Sequence, residues 1–219
     1  MSEHWIISGA YGVGKSEFSV QWALTHRPCT IGDLDVLNPF FRPREIQDDL
    51  LKQQIRVVAS HLDRGLNQDL PAMSFAFQKA LLAHESVIFD CAGSENGLRP
   101  LHALSKEFDH AHFWIVVNLY RPESSLDKLD DLIELYELHS GRKVDGLVHN
   151  THLLDESTLD DILVAQEQLE TYSKLKGIPI VVTMMPQVFV EKAKTRLHNP
   201  ILGFDQLHLR EDWMKGTTR

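Results

Sequence analysis

Residues Gly9-Ala10-Tyr11-Gly12-Val13-Gly14-Lys15-Ser16 fit the pattern G-x-x-x-x-G-K-[ST] and follow directly on the apolar run Trp5-Ile6-Ile7-Ser8. A loop of this composition suits phosphate. Its glycines let successive backbone N–H groups face inward, the Lys15 ammonium supplies charge to the β- and γ-phosphates, and the Ser16 hydroxyl ligates Mg²⁺. The segment that follows, with Phe18, Val20 and Trp22, reads as a helix whose positive end is aimed at the same anion. Gly9, Gly12, Val13, Gly14, Lys15, Ser16 and Glu17 are the candidate nucleotide-binding residues here, and Lys15 is also a catalytic candidate.

Outward from this loop, short apolar runs alternate with longer segments of helical period. The runs are Trp5-Ile6-Ile7-Ser8, Cys29-Thr30-Ile31-Gly32, Ile55-Arg56-Val57-Val58-Ala59, Ser86-Val87-Ile88-Phe89, Phe113-Trp114-Ile115-Val116-Val117, Gly146-Leu147-Val148-His149 and Ile178-Pro179-Ile180-Val181-Val182. Lacking strict alternation, they suit strands buried on both faces, as in a parallel sheet. Pro122 opens one helix, with Leu126, Leu129, Leu132, Ile133 and Tyr136 on a single apolar stripe. Asp155 or Ser157 caps another, which carries Leu159, Ile162, Leu163, Gln166, Leu169 and Tyr172 as far as Gly177. Seven strands separated by helices predict a doubly wound, mostly parallel α/β sheet with helices on both faces, the P-loop NTPase architecture. Residues 60–71 and the tail from about Asn199 are the least periodic stretches and are expected as loops. No repeat or linker divides the chain, so residues 1–219 are expected to form a single nucleotide-binding domain.

Among the 219 residues, 22 Lys and Arg stand against 31 Asp and Glu, and the net charge of −9 argues against broad contact with nucleic-acid phosphates or anionic lipid. The two cysteines, Cys29 and Cys91, form no C-x-x-C and no zinc-ligand spacing with histidine. The first residues lack the basic stretch and apolar run of a secretory signal, and no segment reaches the roughly 18 apolar residues of a membrane span. A cytoplasmic protein without a membrane anchor is the expectation.

A Mg²⁺–nucleotide site calls for a carboxylate at the end of a neighbouring strand. Val87-Ile88-Phe89-Asp90 supplies one, and Cys91-Ala92-Gly93 completes a D-x-x-G in which the Gly93 N–H is placed to bond the γ-phosphate. With no general base beside it in the sequence, Cys91 reads as a small buried neighbour rather than a nucleophile. The second strand runs into Gly32-Asp33-Leu34-Asp35-Val36-Leu37-Asn38-Pro39, whose alternation puts Asp33 and Asp35 on the same side. One of the pair steadies the metal and the other orients the attacking water; a polar turn helped by Asn38-Pro39 is the plainer alternative. Ser16, Asp33 and Asp90 are therefore the metal candidates and Asp35 the second catalytic candidate.

The base can be argued from Asn150-Thr151-His152-Leu153. Guanine specificity in P-loop proteins commonly uses N-K-x-D, whose Asp accepts from the guanine N1–H and N2–H, and Leu153 cannot accept. Adenine needs an acceptor near N6 and a donor to a ring nitrogen, which Asn150 or the backbone near Pro186 and Gln187 can provide, so ATP is favoured over GTP. His110 with His112, and His149 with His152, lack a third ligand at useful spacing and read as buried or surface histidines rather than a metal site.

This order of motifs resembles the MinD/ParA and CobQ/CobB group of P-loop proteins, the SIMIBI class, from Ile6 to about Lys192. The likeness takes in the Gly9 to Ser16 loop, Asp33-Leu34-Asp35, Val87 to Gly93, Val116 to Ser125, Gly146 to Asn150 and Ile178 to Pro186. The resemblance implies an ATP-binding, Mg²⁺-dependent ATPase, often a dimeric switch whose nucleotide state selects a partner. It also implies that Asp35 activates water and that Asn150 and Pro186 hold the base. The signature lysine that MinD and ParA proteins carry after the first loop glycine is Ala10 here, and the long membrane-targeting helix of MinD has no counterpart in the tail. Arg42, Arg44 and Arg99 are candidates for the lysine's role, although a lone arginine is more often a surface residue; a homodimer stays open.

The leading expectation is a Mg²⁺-dependent ATPase, slow without a protein partner, that acts as a switch or assembly factor. The rivals are a small-molecule kinase or ATP-dependent ligase of the dethiobiotin-synthetase type, a GTPase metallochaperone, and a nucleotide-binding regulatory subunit without useful catalysis.

Overall fold

The runs Ile6-Ile7, Val87-Ile88-Phe89 and Phe113 to Val117 divide residue by residue between two cores. Ile6, Val87, Phe89, Phe113, Ile115 and Val117 pack into one, and Ile7, Ile88, Trp114 and Val116 into the other. Strands whose alternate side chains are both buried lie between two layers of helix. The computed structural model describes residues 2–34, 42–59, 77, 79–80, 82–98, 101 and 108–209. Its strands are β1 (His4–Ser8), β2 (Cys29–Asp33), β3 (Ile55–Ala59), β4 (Ser86–Asp90), β5 (His112–Val117), β6 (Gly146–His149), β7 (Ile180–Pro186) and β8 (Ile201–Phe204). Its helices are α1 (Lys15–Thr25), α2 (Gln47–Lys52), α3 (Glu95–Leu98), α4 (Leu129–Ser140), α5 (Leu159–Lys176) and α6 (Gln187–Ala193). Phe18 of α1 belongs to one core and Tyr136 of α4 to the other, so these helices cover opposite faces.

The strands form one sheet in the order β3-β2-β4-β1-β5-β6-β7-β8. Every pairing is parallel. The chain fills one side of β1 with β2 to β4 and the other with β5 to β8. The carboxyl end of β1 therefore lies where connections diverge, the position at which open α/β sheets form a ligand crevice.

The expected α/β architecture is present, with differences of detail that have local causes. An eighth strand lies in the tail expected as loop. Four residues long, it sits at the sheet edge with alternating burial, too short for a periodic signal. The helix expected from Pro122 begins only at Leu129. Pro122–Ser124 is a 3₁₀ turn, Ser124 Oγ donates to the Asn118 carbonyl at 2.6 Å, and Ser125 is extended. Leu129, Ile133 and Tyr136 of the stripe are buried as expected. The cap of α5 is Thr158, reciprocally bonded with Asp161, rather than Asp155 or Ser157. Ser157 instead accepts from the Leu153 N–H at 2.8 Å, and the helix stops at Gly177 in the left-handed conformation. Residues 60–71, Asp35, Asn38, Arg99 and the tail beyond 209 lie outside the described residues.

Candidate functional site

Between β1 and α1 the loop turns on Gly12 at φ 75° and Gly14 at φ 90°, left-handed positions that strain any residue with a Cβ. Gly14 caps α1, so the free N–H groups of the first helical turn open into the loop. Lys15 is 8% exposed and its Nζ donates to the Ala10 carbonyl at 2.9 Å. Glu17, in the same turn, sends its carboxylate the other way, accepting from the His208 and Leu209 N–H groups at 3.0 Å. That leaves the backbone of Glu17, not its side chain, on the loop side.

Gly93 lies against this loop. A Cβ added there would stand 2.3 Å from the Gly9 carbonyl oxygen and 3.3 Å from Lys15 Nζ. The Gly93 carbonyl accepts from the Tyr136 hydroxyl at 3.0 Å, which ties the segment to α4. Packing alone thus demands glycine at the end of D-x-x-G. Cys91 within that segment is fully buried.

Asp33 and Asp90 end β2 and β4 and face each other in the register of that pair. Both are buried, and Asp33 Oδ1 and Asp90 Oδ2 have no hydrogen-bond partner among the described residues. The other oxygens are engaged. Asp90 Oδ1 accepts from Ser19 Oγ at 3.0 Å, and Asp33 Oδ2 accepts from Arg44 Nε at 2.6 Å. Burial first, and the neighbouring Asp33 charge second, push the Asp90 carboxyl up to about 7 against the opposing pull of Ser16, Lys15 and Ser19. Two buried carboxylates, each with one unsatisfied oxygen, next to the Ser16 hydroxyl fit a hard divalent cation. No group of three or more His, Cys, Asp and Glu among the described residues is arranged to hold a metal, and Mg²⁺ at phosphate sites uses only one or two carboxylates, completed by water and phosphate.

Arg42 and Arg44 are not the surface side chains that a lone arginine usually is. Arg42 is 5% exposed, and the Arg44 guanidinium closes on Asp33 from the turn that follows residues 35–41. The sequence held no signal for this ion pair, because its partners meet only when the chain returns to the end of β2.

On the other side of the loop, Asn150 Nδ2 donates to the Val13 carbonyl at 2.8 Å, and Asn150 Oδ1 is 2.9 Å from His152 Nε2. The Leu154 N–H donates to His152 Nδ1 at 3.3 Å, so the proton of the neutral ring sits on Nε2 and fixes Asn150 with its oxygen toward His152. Asn118 Nδ2 donates to the His152 carbonyl at 3.2 Å. A cavity of about 210 Å³ opens here, lined by Gly12, Val13 and Gly14 of the loop, Asn118 and Arg121 after β5, and Asn150, His152, Leu153, Leu154 and Glu156 after β6. Pro186 ends β7 and Gln187 begins α6, at the same edge of the sheet. Neither lines this cavity; the Gln187 amide packs against Gly203 of β8. Arg121, Glu156 and the orienting His152 carry chemistry that sequence reasoning did not assign, since their sequence neighbours form no motif.

Two of the histidines weighed as metal ligands are engaged or buried elsewhere. His112 Nδ1 pairs with Asp145 Oδ2 at 2.8 Å at the amino edge of the sheet, and burial drops the His149 imidazole to about 3.

No protein-family model and no curated protein matches the chain. Solved structures similar to it include chloroplast FtsY from Physcomitrella patens (16% identity, 84% of this chain, 58% of that chain, TM-score 0.57). They also include the cell division protein ftsY of Thermotoga maritima (15% identity, 84% of this chain, 62% of that one, TM-score 0.57). A third is the signal recognition particle 54 kDa protein of Aeropyrum pernix K1 in complex with GDP (16% identity, 82% of this chain, 40% of that one, TM-score 0.53). The chain spans less than two thirds of the length of each. The chain shares the parallel α/β fold of these structures, with its glycine loop following β1. The narrower likeness to MinD/ParA or CobQ/CobB is not shown by these structures. Among the described residues no helix is long and apolar enough to cross a membrane.

Proposed function

We propose that the protein binds a nucleoside triphosphate with Mg²⁺ and hydrolyses it, with ATP preferred, as a switch read by a protein partner. The observation that carries this reading is one sheet edge that joins the glycine loop, Lys15 at the start of α1, and two buried carboxylates with unsatisfied oxygens. In this reading the loop N–H groups and Lys15 stabilise charge on the transferring phosphoryl group, and Asp35 orients water. The water oxygen bonds to the γ-phosphorus, the bond to the bridging oxygen breaks with its electron pair leaving on the nucleoside diphosphate, and the water's proton passes to phosphate or solvent. Ser16, Asp90 and Asp33 would hold Mg²⁺, which would supply positive charge against the phosphate chain. In this reading loss of the γ-phosphate releases its contact with the Gly93 N–H, the change that a partner reads.

Adenine is supported by Leu153, a side chain without an acceptor, and by Asn150, whose second Nδ2 proton remains for a ring nitrogen. Guanine is the second reading. Glu156 lines the same cavity and brings a carboxylate, the group that accepts from N1–H and N2–H, and the similar Aeropyrum protein was solved with GDP. Calorimetric titration with Mg²⁺ and non-hydrolysable ATP and GTP analogues decides between them. Selective ATP-analogue binding that Lys15→Ala abolishes is the expected outcome. GTP preference that Glu156→Ala removes would establish the second reading, and binding of neither analogue would overturn both.

A further inference from the structure

The guanidinium of Arg121 occupies an unusual place. The backbone there is pinned by a turn: the Arg121 N–H donates to the Asn118 carbonyl at 2.9 Å and the Ser124 N–H donates to the Arg121 carbonyl at 3.0 Å. Asn118 is itself tied to His152, and Pro122 fixes φ at the next residue. The side chain leaves this rigid base toward the phosphate loop. Its Nε lies 4.0 Å from where a Cβ on Gly12 would stand, and the residue lines the cavity shared by Gly12, Val13, Gly14 and Asn150. That Nε is buried and has no hydrogen-bond partner among the described residues.

An arginine used only to brace a turn bonds the groups around it. Arg142 does so, donating to the Phe108 carbonyl at 2.8 Å and to Asp109 at 3.3 Å. Arg121 Nε makes no such bond, although a guanidinium is charged at every relevant pH and a buried unsatisfied donor costs free energy. The cost is recovered when an anion with several oxygens enters the cavity. A phosphate chain lying on the loop brings such oxygens within reach of a cation placed beside Gly12.

We infer that Arg121 is a phosphate-binding residue of the nucleotide site, a second cation that acts from the end of β5 beside Lys15. The inference rests on the nucleotide reading above and adds a residue to it. The charge is supplied by the same chain, so it is present at every encounter with nucleotide and does not await a partner.

The test is calorimetry on the full chain with Mg²⁺ and a graded series: a non-hydrolysable ATP analogue, ADP and AMP, or the guanine series if guanine is preferred. Arg121→Gln removes the charge and Arg121→Lys keeps it. Arg196→Ala, an exposed arginine paired with Asp160, controls for net charge. Arg121→Gln is expected to weaken the triphosphate roughly 10- to 100-fold and AMP by less than about threefold, with partial recovery in Arg121→Lys and an unchanged ligand-free melting temperature. An equal penalty across the series, or a melting temperature lowered by the substitution, would mean that Arg121 packs rather than binds phosphate. No penalty for Arg121→Gln while Lys15→Ala abolishes binding would overturn this inference alone. Absence of binding by the wild-type protein would overturn the nucleotide reading and this inference with it.

Discussion

Two buried polar clusters, on opposite sides of β1, are built in opposite ways. Across β7 and α5, Thr183 Oγ1 donates to Gln166 Oε1 at 2.8 Å and accepts from Asn199 Nδ2 at 2.8 Å. Gln166 Nε2 donates to Asn199 Oδ1 and Glu170 Oε1, and the second Asn199 proton goes to the Pro200 carbonyl. Donor and acceptor capacity is matched within the protein, and the cluster locks the edge strands to α5. Across β2 and β4, Asp33 and Asp90 are as deeply buried, stand side by side as two acids with Arg44 on only one of them, and keep one oxygen each without a partner among the described residues. A fold can place satisfied polar groups where it needs register and rigidity. Unsatisfied charge of one sign persists where something from outside completes it.

The contrast breaks first at Asp90. Asp90→Asn is expected to lower Mg²⁺-dependent nucleotide affinity by roughly 10- to 100-fold. The same change stabilises the ligand-free protein by about 1–3 kcal/mol, because a repelled buried charge is removed. Affinity by calorimetry that is unchanged, or a destabilised apo protein in urea, would place Asp90 with the structural cluster. Thr183→Val is the converse. It strands the buried Gln166 Oε1, and a loss of about 1–3 kcal/mol in denaturant unfolding is expected with nucleotide affinity intact. A large affinity loss there would erase the distinction.

The smallest effect concerns His149, on β6 between the two clusters. Its imidazole is held neutral by burial, with the pKa dropped to about 3 from 6.5. The unfolded chain takes up a proton below pH 6.5 and the folded chain does not, so this residue's share of stability is complete above that pH and is lost as pH falls toward 3. The slope approaches about 1.4 kcal/mol per pH unit, and between pH 7 and pH 6 the loss is under about 1 kcal/mol. The stability difference between wild type and His149→Gln, followed from pH 7 to pH 5, should shrink as pH falls; a constant difference would mean that His149 titrates in the fold as it does in the unfolded chain.

Much of the fold is legible in the sequence because the signal is local. A strand buried on both faces is an apolar run, as at Phe113 to Val117, and a phosphate loop needs its glycines at set positions. Where competing contacts intervene, the local signal misleads. Pro122 and the stripe from Leu126 suggest one helix, yet the Ser124 hydroxyl bonds the Asn118 carbonyl and delays its start to Leu129. Ile201–Phe204 becomes a strand only because β7 offers a free edge.

For the candidate site, the sequence by itself determined the residue types: a glycine loop ending in Lys15 and Ser16, carboxylates at strand ends, and an asparagine after β6. Loop conformation and strand burial follow from neighbours along the chain, so they survive without knowledge of the rest. Only the tertiary structure decided that Asp33 meets Asp90 across a register 57 residues apart in sequence, that Arg44 closes on one of them, that His152 orients Asn150, and that Arg121 stands beside Gly12. Those pairings join segments far apart in the chain, where no local propensity acts and the packing of the whole sheet fixes the distances.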